Sequence, residues 1–235
     1  MGLSNSDKQT FVNVVEGKFC IRGKEGDPGV SSRVNKAGDT VFEHKYSSLS
    51  GRVKDIKFIE KDDYGRQISL TMEDGDDRYV LNVQMSSGAG MSLLKALPNV
   101  DFTKELTLNV WSKVIDDKPK TRIYLQHGSD KCEWFWTQED KKDLPDLEQK
   151  KVKGKLVYDD SEQLEYIENY IINQVVPKLA RALVNPPAEG KATAGATGGA
   201  MAPNPKVAAS NSGRKVAPKS IQEQEGVEEE SDLPF

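Results

Sequence analysis

The 235-residue chain is 30% charged and only 36% hydrophobic, with a formal net charge of −4, which excludes one core filling the whole length and argues against a uniformly basic nucleic-acid binder. Cys20, Cys132, His44 and His127 form no CxxC or HxxxH spacing, so neither a zinc site nor a disulfide framework is expected, and both cysteines read as reduced thiols. No apolar run approaches the ~18 residues that would cross a membrane, and the N-terminus lacks the basic start and apolar stretch of a secretory signal.

Charge is unevenly spread. Residues 1–185 hold 28 Lys+Arg and 30 Asp+Glu, residues 186–220 hold five basic residues and one acidic, and residues 221–235 hold six acidic residues and no basic one. The acidity gathers at the end, and a nearly balanced body can still present a local basic groove.

Residues 1–38 read as an N-terminal extension. Phe19-Cys20-Ile21-Arg22 suggests a short strand, and the Gly-rich stretch 23–38 a long loop carrying Lys24, Arg33 and Lys36. Residues 40–47 and 52–60 are β-rich, and either two strands or one strand bent at Gly51 fits, because a glycine inside a strand often marks a bulge. In residues 66–72, Ile68, Leu70 and Met72 alternate with Gln67, Ser69 and Thr71. After the turn Asp74-Gly75-Asp76-Asp77, the residues Tyr79, Leu81, Val83 and Met85 alternate in the same way. Two alternating runs around Asp-Gly predict a hairpin.

Residues 91–97 are apolar at helical spacing and stop at Pro98. A second hairpin follows. Leu106, Leu108, Val110, Ser112 and Val114 form one face, and Thr121, Ile123 and Leu125 return it across Asp116-Asp117-Lys118-Pro119. Residues 132–137 read as a last, aromatic strand. Residues 138–160 are charged and irregular. A helix starts with Ser161 as N-cap and carries the stripe Leu164, Ile167, Ile171, Val175 and Leu179, with Pro177 expected to kink or split it. This helix is expected to pack on the core or on a partner subunit. Residues 186–220 lack the large apolar side chains needed to offset ordering entropy and read as a disordered linker.

A long bent strand, a hairpin, a helix and a second hairpin follow one another in the order of the five-stranded oligonucleotide-binding (OB) barrel. A generic β-barrel or sandwich is the competing architecture. The expected division is an extension over 1–38, the barrel over 39–138, a connector and helix over 139–185, the linker over 186–220 and an acidic tail over 221–235.

In the simplest register of the second hairpin, Trp111 faces Tyr124, Lys113 faces Arg122 and Ile115 faces Lys120, all opposite the Leu108/Ile123 core side. Rings beside cations are what sequence-tolerant single-strand binding requires, since bases stack on aromatic faces while Lys and Arg follow the phosphates. Like charges directly opposed on a sheet are unfavourable unless a phosphate lies between them. Trp134 and Trp136 share a face in an extended segment and join the candidate set, as do Lys61, Tyr64 and Arg66, which border the loop before the first hairpin. No Ser/His/Asp arrangement or phosphate loop appears, and neither catalysis nor a cofactor is expected. The rival enzymatic reading, a metal-dependent nuclease, rests on Glu73-Asp74-Gly75-Asp76-Asp77 as oxygen ligands. A second rival is an RNA-binding or scaffolding protein.

The chain closes on Glu228-Glu229-Glu230-Ser231-Asp232-Leu233-Pro234-Phe235. An acidic run carrying an apolar tip suits a basic-rimmed hydrophobic pocket. These residues resemble the tip of bacterial single-stranded DNA-binding proteins, which end in Asp-Ile/Leu-Pro-Phe, although Ser231 stands where an acidic residue is common. The folded part is more similar to phage-encoded members of that group. The resemblance implies that Asp232, Leu233, Pro234 and Phe235 recruit replication, recombination and repair proteins and compete weakly with single-stranded DNA for the basic groove. It also implies a cytoplasmic setting, that of a bacterial host if the chain is phage-encoded. Self-association is open; a membrane partner is not expected.

Overall fold

Ile68, Leu70 and Met72 face Val83, Leu81 and Tyr79 across a hairpin, as their alternation predicts. In the computed structural model, which describes residues 9–35, 37–61, 65–115, 117–152 and 155–185, that hairpin lies at the centre of one large sheet. The elements in chain order are β1 (Gln9–Val15), β2 (Lys18–Arg22), β3 (Ser31–Val34), β4 (Thr40–Tyr46), β5 (Ser48–Lys61), β6 (Gly65–Asp74), β7 (Asp77–Gln84), α1 (Gly88–Ala96), β8 (Leu106–Ile115), β9 (Lys118–His127) and β10 (Asp130–Lys131). Among the described residues these ten strands join in the order β10-β9-β8-β5-β6-β7-β1-β2-β4-β3. The protein is therefore mainly β.

The bend at Gly51 organises the sheet. Residues 48–51 of β5 pair with β8, and residues 52–61 pair with β6, with a bulge between Val53 and Asp55. Gly51 has φ +152°, and a Cβ there would lie 2.6 Å from the Glu73 carbonyl oxygen, so no side chain fits where the strand passes from one neighbour to the other. The β6–β7 turn runs through Gly75 at φ +59°.

The sheet does not close into the expected barrel. The free edge of β7 is taken by β1, which pairs with it in parallel. Beyond its short pairing with β10 at Gln126 and His127, the outer edge of β9 is covered by α1. Ile123 N–H donates to Ser92 Oγ at 2.8 Å, and a Cβ on Gly88 would meet the Thr121 carbonyl at 2.7 Å. Ser87 caps α1 by accepting from Gly90 N–H at 3.0 Å. Leu93, Leu94 and Leu97 enter the core with Ile68, Leu70, Leu81, Leu106, Leu108, Ile123 and Leu125, each full burial contributing about 1.5–3 kcal/mol.

Several expectations are corrected. The short strand expected at Phe19–Arg22 is β2, but residues 9–34 also supply β1 and β3, which were read as extension and loop, and Val12 and Phe19 join the core. Residues 132–137 are not a strand. They leave the sheet after β10 and run beside α1, where Phe135 N–H donates to the Lys95 carbonyl. The charged connector contains a two-stranded hairpin, β11 (Glu148–Val152) with β12 (Lys155–Asp159). The helix begins at Ser161, whose N–H and hydroxyl both donate to Asp159, so Ser161 is not the N-cap.

That helix runs as α2 (Ser161–Tyr170), a wide π turn over residues 171–175, and α3 (Val176–Val184), with Pro177 in the first turn of α3. The π turn precedes the proline, and the stripe Ile167, Ile171, Val175 and Leu179 stays buried in the same core as the sheet. No helix among the described residues is long and apolar enough to cross a membrane. The linker and the tail, residues 186–235, lie outside the described residues.

Candidate nucleic-acid interface

The β8–β9 hairpin turns more tightly than expected. Ile115 pairs with Lys118, and Asp117, at φ +57°, takes the left-handed conformation that Asp tolerates in a turn. The register is displaced by two residues from the simplest one. Trp111 lies opposite Arg122, Lys113 opposite Lys120 and Asn109 opposite Tyr124. Because side chains alternate with period two, a shift of two leaves every residue on its expected face. Trp111 and Tyr124 become diagonal neighbours, about 7–8 Å apart by sheet geometry.

This outer face lies opposite the buried Leu108, Leu125 and Ile123. Trp111 is 40% exposed, and Tyr124 and Arg122 are half-buried. The hairpin tip projects past the core, with Ser112, Lys113 and Val114 all exposed. Gly17, at φ +70°, lets the β1–β2 turn come against Ser112, where a Cβ would fall 2.2 Å from that of Ser112. Lys131, on β10, holds its Nζ 5.2 Å from the centre of the Tyr124 ring. Lys113, Lys120, Arg122 and Lys131 form no ion pair with any described carboxylate. Four cations and two rings thus share one surface, and none of the four is ion-paired among the described residues.

The remaining candidates separate. Trp134 belongs to this surface, since the Arg122 guanidinium stands 5.5 Å from its ring centre. Trp136 does not. It is 1% exposed and packs edge-on against Phe135 and Tyr170 at 4.9 and 5.0 Å, so no base can stack on it. Arg66 is also removed from the set, because it is committed to the helix. Its Nε lies 2.6 Å from Glu168 Oε2 and its Nη2 donates to Oε1 at 2.9 Å. Burial pushes the Glu168 carboxyl above its ordinary range, and the Arg66 charge opposes that. Lys61 is the last residue of β5; its side chain, like Tyr64, lies outside the described residues.

The Gly23–Gly38 stretch is not all loop, since residues 31–34 form β3. Arg33 belongs to β3 and makes a bidentate pair with Glu43, both contacts at 2.8 Å. The guanidinium holds the buried Glu43 carboxyl below its ordinary range. Lys36 lies outside the described residues. The acidic turn that suggested a metal site is used otherwise. Glu73 pairs with Arg78 at 2.6 Å and with Lys54 at 3.0 Å, while Asp74 and Asp77 close the hairpin opposite each other. Among the described residues no three His, Cys, Asp or Glu side chains converge.

Two further cations stand at this surface. Lys131 and Lys95 reach the rings only through the turn after β9 and the docking of α1, and neither has a sequence signal. A cleft of about 850 Å³ is lined by residues of other strands that include Asn13, Val14, Arg22, Glu43, Gln67 and Asn82. Comparison of the chain with family models, with curated proteins and with solved structures returns no match.

Proposed function

We propose that this chain binds single-stranded DNA on the outer face of the β8–β9 hairpin, coating and protecting it during replication, recombination and repair. The observation that carries the reading is the gathering of Trp111, Tyr124 and Trp134 with Lys113, Lys120, Arg122 and Lys131, none of the four cations being ion-paired among the described residues. Opposed lysines at 113 and 120 repel each other in the free protein, and a phosphate chain relieves that repulsion. Rings supply base stacking at ~1–3 kcal/mol per base without reading sequence.

Topology supports the same reading. Strands β5, β6 and β7, then α1, then β8 and β9, follow the element order of the OB fold, with β5 bent so that it serves both halves. In this reading β1 and α1 occupy the edges that barrel closure would use, and the binding face is the same. The acidic segment 221–235, by its resemblance to bacterial single-stranded DNA-binding protein tips, recruits partner proteins through Asp232, Leu233, Pro234 and Phe235.

The test is fluorescence anisotropy of a labelled oligothymidine over a range of NaCl, with duplex DNA and RNA of equal length as competitors. Affinity should fall log-linearly with salt, with a slope of about −0.7 per phosphate neutralised, and duplex should compete poorly. A flat salt response, or equal competition by duplex, refutes the reading; stronger competition by RNA reassigns the ligand.

A further inference from the structure

One cation beside this surface is expensive to keep where it is. Lys95, in the last turn of α1, is 8% exposed, and no described carboxylate pairs with it. Its Nζ stands 5.9 Å from the centre of the Trp134 ring, whose other cationic neighbour is Arg122 at 5.5 Å. Burial first, and then the Arg122 charge, push the Lys95 ammonium below the ordinary lysine range. Desolvation weakens the hydration of this ammonium, and a second cation at the same indole adds repulsion. The indole face offsets only part of that cost. The stem is buried in the manner of a snorkelling lysine, while Nζ is not among the fully enclosed polar atoms of the described residues, so an anion arriving from solvent can reach it.

The segment around Trp134 is held in place. Phe135 N–H donates to the Lys95 carbonyl at 2.7 Å, and Asn99 donates to the Glu133 carbonyl at 2.9 Å. Ser92 Oγ accepts from Ile123 N–H, one residue from Arg122. The two cations and the indole are therefore set by three elements before any ligand arrives, which lowers the ordering cost of binding. What this arrangement lacks is an anion.

We propose that Lys95, Arg122 and the Trp134 ring form a phosphate seat at the edge of the hairpin platform, taking one phosphodiester of the strand whose bases lie on Tyr124 and Trp111. Lys95 Nζ and the Arg122 guanidinium donate to its non-bridging oxygens, and the indole closes the site on the side away from water. The proposal rests on the reading that a single strand lies on this face. It adds a helix residue to a surface otherwise built from strands.

Two measurements on the full chain test it. In the first, ¹⁵N-indole resonances are followed during titration with inorganic phosphate and, at matched ionic strength, with NaCl; Trp134→Phe assigns the resonance. The Trp134 signal should move with phosphate and not with chloride, and Lys95→Met, which keeps the stem volume, should abolish the response. In the second, oligothymidine affinity is measured against salt. Lys95→Met should weaken binding about tenfold, the scale of one charge-assisted hydrogen bond, and flatten the salt slope by about 0.7. Arg122→Gln, at a half-buried position, should do the same if Lys95→Met fails to fold. A chloride response equal to the phosphate response, or a wild-type slope in both variants, overturns the seat while leaving single-strand binding intact. Loss of oligothymidine binding by the wild-type chain, with a Lys95-dependent phosphate response retained, overturns the strand-binding reading and upholds the anion seat.

Discussion

Replacing Trp111 and Trp136 one at a time with alanine separates binding from folding, because the structure assigns the two indoles opposite roles. Trp111 sits on the outer face, 40% exposed, opposite Arg122. Its truncation removes one cross-strand pair, worth about 0.2–1 kcal/mol, which for a domain of this size lowers Tm by about 4 °C at most. If one base stacks on it, the lost ~1–3 kcal/mol weakens binding about 5- to 150-fold. Trp136 is buried between Phe135, Tyr166 and Tyr170. Truncation there leaves a cavity and should cost about 3–5 kcal/mol, a Tm fall of about 10 °C. Anisotropy of a labelled oligothymidine reads the first effect, and thermal unfolding by circular dichroism reads the second. Unchanged affinity in Trp111→Ala, and equally in Tyr124→Ala, would refute the platform. A Trp111→Ala protein as unstable as Trp136→Ala would refute the assignment of faces.

Two further outcomes follow from the same geometry. Glu43, 3% exposed, is paired with Arg33, and its folded pKa lies below the ordinary carboxyl value. A depressed acid contributes stability above its unfolded pKa and loses it as pH falls through the folded one. Glu43→Gln should therefore be about 2 kcal/mol less stable than the wild type at neutral pH, the exposed flank of Arg33 reducing the 3–5 kcal/mol of a fully buried broken pair, and the gap in urea unfolding should close toward pH 3; a gap constant with pH contradicts the pairing. Deleting residues 221–235 removes six acidic residues and should preserve or tighten oligothymidine binding while abolishing pull-down of the partner proteins proposed above; weaker DNA binding by the truncated chain contradicts a competing tail.

Local pattern carried the centre of the fold. The alternation of Ile68, Leu70 and Met72 with polar neighbours fixes which face is buried whatever the partner strand, and Gly75 supplies the positive φ in the two-residue turn Gly75-Asp76 between Asp74 and Asp77. A glycine inside a β-rich run made a bend at Gly51 one of two expected arrangements, and the close approach of the Glu73 carbonyl, which excludes any Cβ, fixed it there. The sharing of a face by Trp111, Lys113, Arg122 and Tyr124 survived even the displaced register, because a shift of two residues preserves the pleat.

Other features depend on contacts between residues far apart in the chain, and no local pattern encodes them. Trp134 and Trp136 are two residues apart and look equivalent in an extended segment. Once that segment leaves the sheet beside α1, one indole meets Arg122 and the other enters the core beside the helix. Arg66 looks like any loop cation until a helix residue 102 positions away places a buried carboxylate against it. The sequence by itself thus determined strand faces, turns and the separation of charge along the chain, all of which depend on nearest neighbours and period. Which cations keep a partner, which rings stay exposed, and that β1 pairs with β7 while α1 packs along β9 instead of the sheet closing were decided only by tertiary packing, where burial and desolvation are set by residues distant in sequence.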